Sequence, residues 1–124
     1  MRLSFSTRGW QRLGWEELLE TAADAGLEGV EVYDLPKRQD LWQRGGPFDR
    51  YNTVSTARQL RERGLSIPCL DTSFDLASEG SASGLLPLLE TARDMHLPCV
   101  AAAALREAED TVRENLRIIL PAAR

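Results

Sequence analysis

Histidine is nearly missing from this 124-residue chain: His96 is the only one, and the two cysteines, Cys69 and Cys99, sit in separate apolar runs with no Cys-x-x-Cys spacing. A structural zinc site needs several such ligands at close spacing. The pattern therefore reads as two buried, reduced thiols and a structural histidine, with no metal site on the chain. Basic charge is also short. Fifteen Lys and Arg against nineteen Asp and Glu leave a net charge of -4, the wrong balance for tracking a phosphate backbone, so nucleic acid is not an expected partner. Long apolar runs are missing too. The opening Met1-Arg2-Leu3-Ser4-Phe5-Ser6-Thr7-Arg8 lacks the apolar stretch of a signal peptide, and no later segment approaches the roughly 18 apolar residues of a membrane span. A cytoplasmic protein without a membrane partner is the expectation.

What is present is an ordinary globular composition, 43% hydrophobic and 27% charged, enough for one domain, residues 1-124, with one core. Short apolar segments alternate with helical periodicity four times. Leu3 to Thr7 reads as the first strand and Trp15 to Ala25 as a helix with Leu18, Leu19 and Ala22 in a stripe, stopped by Gly26. Gly29 to Asp34 is the second strand, and a helix opening at Tyr51 or Asn52 ends at Gly64. Ser66 to Asp71 is the third strand, Leu85 to Met95 the third helix with Pro87 near its first turn, and Pro98 to about Ala104 the fourth strand. Asp110 caps a last helix running through Ala123.

Strands separated by helices imply parallel pairing through right-handed crossovers, which makes the class α/β. Strands buried on both faces of a doubly wound sheet read as continuous Val, Ile and Leu. Here Leu3, Phe5, Val30, Val32, Ile67 and Leu70 alternate with Ser4, Ser6, Glu31, Tyr33 and Asp71, with Pro68 blurring the parity of the third strand. One apolar and one polar face suit a (β/α)8 barrel, whose inward face carries the chemistry near the C-terminal strand ends. Four βα units make the first half of such a barrel. Its inner face and two sheet edges would need covering, by another copy of the chain or by a missing C-terminal half-barrel.

The segments Leu3-Ser4-Phe5-Ser6-Thr7, Trp15-Glu16-Glu17-Leu18-Leu19 and Ala23-Asp24-Ala25-Gly26-Leu27-Glu28-Gly29-Val30-Glu31, followed later by Arg61-Glu62-Arg63-Gly64-Leu65-Ser66-Ile67-Pro68, resemble the N-terminal half of the xylose isomerase-like TIM barrels, the sugar phosphate isomerase and epimerase group. The resemblance covers essentially the whole chain. It implies a divalent metal that helps shift a proton on a bound sugar or sugar phosphate, by polarising a carbonyl or hydroxyl while a carboxylate moves the proton. The family's metal ligands come from later strands, so none carries over to a residue here, and the chain alone is expected to be inactive.

What remains to this half is one wall of a substrate pocket. Ser6, Glu31, Tyr33 and Asp71 share the inner parity. Glu31 stands at the family's Glu position and could accept hydrogen bonds from sugar hydroxyls; alternatively it is a structural carboxylate paired with a neighbouring strand or with Arg106. Asp71, at the expected end of strand three, is either a pocket residue or the cap of a turn through Thr72 and Ser73. Arg106 follows strand four as an anion clamp or an ordinary surface arginine. Trp10 either stacks on a substrate ring or packs locally. The long segment from Asp34 to Arg50 holds Lys37, Arg38, Arg44 and Arg50, diluted by Asp34, Asp40 and Asp49; it reads as a specificity loop or a solvated one. Two other enzyme-scale readings fit poorly. A DNA-cleaving relative of the same barrels needs several histidines and a basic face, and a phosphoacceptor receiver module needs an acidic pair where Ser6-Thr7-Arg8 stands. A non-catalytic half-barrel that self-associates or pairs with a partner is the alternative to the isomerase or epimerase reading.

Overall fold

The computed structural model describes residues 1-124. Their order is β1 (Ser4–Ser6), α1 (Trp15–Asp24), β2 (Gly29–Tyr33), α2 (Gln39–Trp42), α3 (Thr53–Glu62), β3 (Leu70–Asp75), α4 (Ser81–Asp94), β4 (Val100–Ala103) and α5 (Glu109–Ile119), with 3-10 turns at Thr7–Gly9 and Leu35–Lys37. All strands are parallel, and their order in the sheet is β1-β2-β3-β4. Each crossover steps one strand further in the same direction, with none of the reversal that marks a doubly wound sheet. This is the wall of half a βα barrel.

Register separates the two faces of the sheet. Phe5 pairs with Val30, Val32 with Leu70, and Leu70 with Val100. Val30, Val32 and Leu70 are fully buried beneath the helices. Leu18, Leu19 and Ala22 of α1, Leu60 of α3 and Leu85, Leu88 and Ala92 of α4 join them in one core cluster, where each fully buried leucine or valine contributes roughly 1.5–3 kcal/mol. On the other face the register aligns Ser6 with Glu31 and Tyr33 with Asp71, and none of these four is fully buried.

Three helices end in one device. The amide of Leu27 reaches back to the carbonyl of Ala22, Leu65 to Leu60 and Leu97 to Ala92, while Gly26, Gly64 and His96 donate to Ala23, Arg61 and Arg93. This is the Schellman arrangement, which places the intervening residue in the left-handed region. Gly26, Gly64 and His96 all have positive φ, 72°, 67° and 55°. Each closing leucine then aims the chain into the next strand.

Several boundaries differ from those read in the sequence. The third strand, expected over Ser66 to Asp71, runs Leu70–Asp75, leaving Ser66 only an isolated bridge to Gly29. Pro68 has no N–H to give the ladder, which explains the delayed start. Asp71 therefore lies within β3 and not at its end; Asp75 ends the strand and accepts hydrogen bonds from the amides of Ala77 and Leu105. The first strand stops at Ser6, because Thr7 already belongs to a 3-10 turn. Helix α4 begins at Ser81, so Pro87 is interior and not in the first turn. The proline is on the exposed side, where its missing donor meets water. Gly84 lets this helix approach the sheet, since a Cβ there would stand 2.3 Å from Phe74 Cε1. The cysteines are also displaced from the expected interior: Cys69 is half-buried and Cys99 exposed.

Candidate functional site

The C-terminal end of β2 is built tightly against β3. Tyr33 donates its amide hydrogen to Thr7 Oγ1 at 3.0 Å, and the Asp34 amide donates to the Asp71 carbonyl at 2.8 Å. Asp34 then leaves the strand in the left-handed region, φ 53° and ψ 48°, a conformation that aspartate tolerates better than most residues. Its side chain, with the residue only 6% exposed, turns toward β3. Ser73 Oγ stands 2.8 Å from both carboxylate oxygens and donates to them. Lys37 Nζ lies 2.9 Å from Asp34 Oδ2 and 3.3 Å from Ser73 Oγ.

Burial alone would push the Asp34 carboxyl up, but the hydrogen bonds from Lys37 and Ser73 more than offset it and hold the group below its ordinary value. The same contact with Asp34 raises Lys37. Both groups are therefore charged at neutral pH, and neither is poised to exchange a proton there. The Lys37 side chain is 75% exposed, so its one remaining N–H is available to an anionic or hydroxylated ligand.

The expected pocket residues fall into two groups. Ser6, Glu31, Tyr33 and Asp71 come together on the face opposite the helices. Ser6 Oγ accepts the Arg8 amide at 3.2 Å, and the Arg8 guanidinium lies over the Tyr33 ring, 4.8 Å from its centroid. Asp71 Oδ1 accepts the amide of Thr72 at 2.9 Å. The Glu31 carboxylate has neither an ion pair nor a hydrogen bond within the protein. The pairing of Glu31 with Arg106 offered by the sequence does not form.

Arg106 and Trp10 stand apart from that group. Arg106 Nη2 donates to the Ala77 carbonyl at 3.0 Å and braces the loop after β3. Trp10 rests on Phe5, ring centroids 5.5 Å apart, and Phe5 belongs to the helix-facing side of β1 by its register with Val30. Local packing explains both residues. In the Asp34 to Arg50 loop, Arg38 turns inward and donates to the Leu13 carbonyl at 2.8 Å while pairing with Asp40; Asp49 accepts the amides of Gly45 and Tyr51. Most of the loop's charge thus holds its own shape, with Lys37 facing outward.

Asp34 and Ser73 are the site residues that sequence reasoning passed over. Asp34 looked like one of three loop acids, and Ser73 like part of a turn, because the third strand was expected to end before it. The signal that was available is Asp34-Leu35-Pro36: an aspartate before a Leu-Pro turn at the end of a strand.

The clefts of the surface lie elsewhere. One of about 450 Å³ lies at the N-terminal strand ends among Arg2, Glu28, Ser66, Pro68 and His96, and another of about 630 Å³ is lined by Arg106, Glu109 and Arg113. The inner sheet face is open, so no walls enclose it. No three His, Cys, Asp or Glu side chains converge closely enough to hold a metal ion, and these residues by themselves do not fit the divalent metal centre that the resemblance implies. No helix is long and apolar enough to cross a membrane.

No model of a known protein family matches the sequence, and no curated protein matches it. Among solved structures, protein SMc04130 from Sinorhizobium meliloti 1021 matches with a TM-score of 0.66 at 14% identity. The likeness is one of fold. It covers 98% of this chain and 46% of that protein, so the chain spans about half the length of the structure it matches.

Proposed function

We propose that this chain is the N-terminal half of a metal-dependent isomerase or epimerase acting on a sugar or sugar phosphate, and that it contributes one wall of the substrate pocket. The observation that carries the reading is the half-buried Glu31 carboxylate, which has no partner in the protein and stands beside Ser6, Tyr33 and Asp71 on the face away from the helices. Its oxygens are open to solvent and free to accept hydrogen bonds from a ligand. Sugar hydroxyls supply the matching donors. Lys37, exposed at the end of β2, adds a cation for a phosphate or hydroxyl.

In this proposal the metal and the proton-moving groups belong to four further βα units, and the chain alone has no turnover. The test uses the protein that carries both halves, assayed with a panel of free sugars and sugar phosphates in the presence of Mg²⁺ or Mn²⁺. Glu31→Gln keeps the shape and removes the charge. The expected result is a loss of substrate affinity of about tenfold or more, the worth of one hydrogen bond to a charged group. Unchanged turnover and unchanged KM would remove Glu31, and with it this reading of the face.

A further inference from the structure

Cys69 and Cys99 precede β3 and β4, and the ladder holds them side by side. The Leu70 amide donates to the Cys99 carbonyl at 3.0 Å, and the Cys69 carbonyl accepts the Val32 amide at 3.2 Å. Leu70 pairs with Val100, so the two cysteines are cross-strand neighbours. Their Sγ atoms are 3.5 Å apart, both free thiols, which is van der Waals contact. Glu31 and Asp71 face Cys69 from β2 and β3, so both sulfurs lie on the open polar face. Neighbouring strands of a sheet lie about 4.8 Å apart, within the roughly 4.4–6.8 Å between Cα atoms that a disulfide spans.

We propose that Cys69 and Cys99 form a reversible disulfide by exchange with a low-molecular-weight disulfide of the glutathione type. Cys99, the exposed member, loses its proton to solvent, and its thiolate attacks one sulfur of the small disulfide. A mixed disulfide forms on Cys99 and one small thiolate leaves, taking up a proton. Cys69 then gives up its proton, its sulfur attacks Cys99 Sγ, and the second small thiol departs. Two protein thiols are oxidised by two electrons, and one small disulfide is reduced to two thiols. Cys69 is the less exposed of the two, and its burial pushes its thiol up, so Cys69 serves as the resolving thiol. The product joins β3 to β4 and closes the segment that contains α4. The inference does not depend on the sugar-pocket reading.

The experiment incubates the 124-residue chain with glutathione disulfide, quenches with acid and measures intact mass and linked peptides. The expected product has lost the mass of two hydrogens, carries one peptide pair joined through Cys69 and Cys99, shows no thiol titratable by an aromatic disulfide reagent, and returns to the dithiol form with dithiothreitol. With Cys69→Ser the reaction is expected to stop at the mixed disulfide on Cys99. Stable glutathione adducts on the wild-type chain, disulfide-linked dimers, or two thiols left unreacted would each overturn the proposal.

Discussion

Asp34 joins most of the threads at the residue scale. It combines a left-handed backbone, a nearly buried carboxylate and two donors from Lys37 and Ser73. Its folded-state carboxyl is held below the ordinary value, so the unfolded chain binds more protons and stability rises with pH through the acid range. The contribution is fully present above the unfolded value near pH 4 and is lost as pH falls through the lower folded value. Unfolding midpoints measured in denaturant from pH 6 down to pH 2 are therefore expected to fall less steeply for Asp34→Asn than for the wild type. Equal slopes would mean that the Lys37 and Ser73 contacts contribute nothing. The polar face was legible residue by residue, because period-two alternation shows Ser6, Glu31, Tyr33 and Asp71 directly. The buried aspartate was not, since its partners come from a neighbouring strand and from the turn that follows. Arg106 and Trp10 show the reverse: their residue types suggested a ligand, and their neighbours Ala77 and Phe5 account for them.

Among elements, the repeated helix ending decides how each crossover delivers the next strand. Gly-Leu at 26–27 and again at 64–65 advertises the motif in the sequence. At the third occurrence His96 replaces glycine and accepts a φ of 55°, which costs a non-glycine residue on the order of 1 kcal/mol. His96→Gly is expected to raise unfolding stability by about that amount, less the entropy that glycine adds to the unfolded chain. A thermal or denaturant melt reads it directly, and a loss of stability would show that the exposed imidazole contributes more than its backbone costs. Strand and helix existence was readable from periodicity, whereas the edges of β3 and α4 were not. Pro68 moved one boundary by withholding an amide. The other was hidden because Ser81-Ala82-Ser83-Gly84 reads as loop chemistry until Phe74 is seen to require the close approach at Gly84.

For the whole molecule, a parallel sheet in the order β1-β2-β3-β4 with helices on one face leaves three surfaces uncovered: the inner face and both edges. Apolar residues are exposed at each side, Leu3 beside β1 and Leu105, Ile118 and Leu120 beyond β4. The SMc04130 likeness is one of fold and leaves more than half of that protein unmatched. Half a barrel was foreseeable from four alternations and a polar inner parity. The central claim is that the inner face is an interior surface. Sedimentation equilibrium of the chain, with denaturant unfolding alongside, tests it most directly. The account expects a mass above that of one chain and a stability that rises with protein concentration. A monomer at all concentrations that unfolds cooperatively would contradict it.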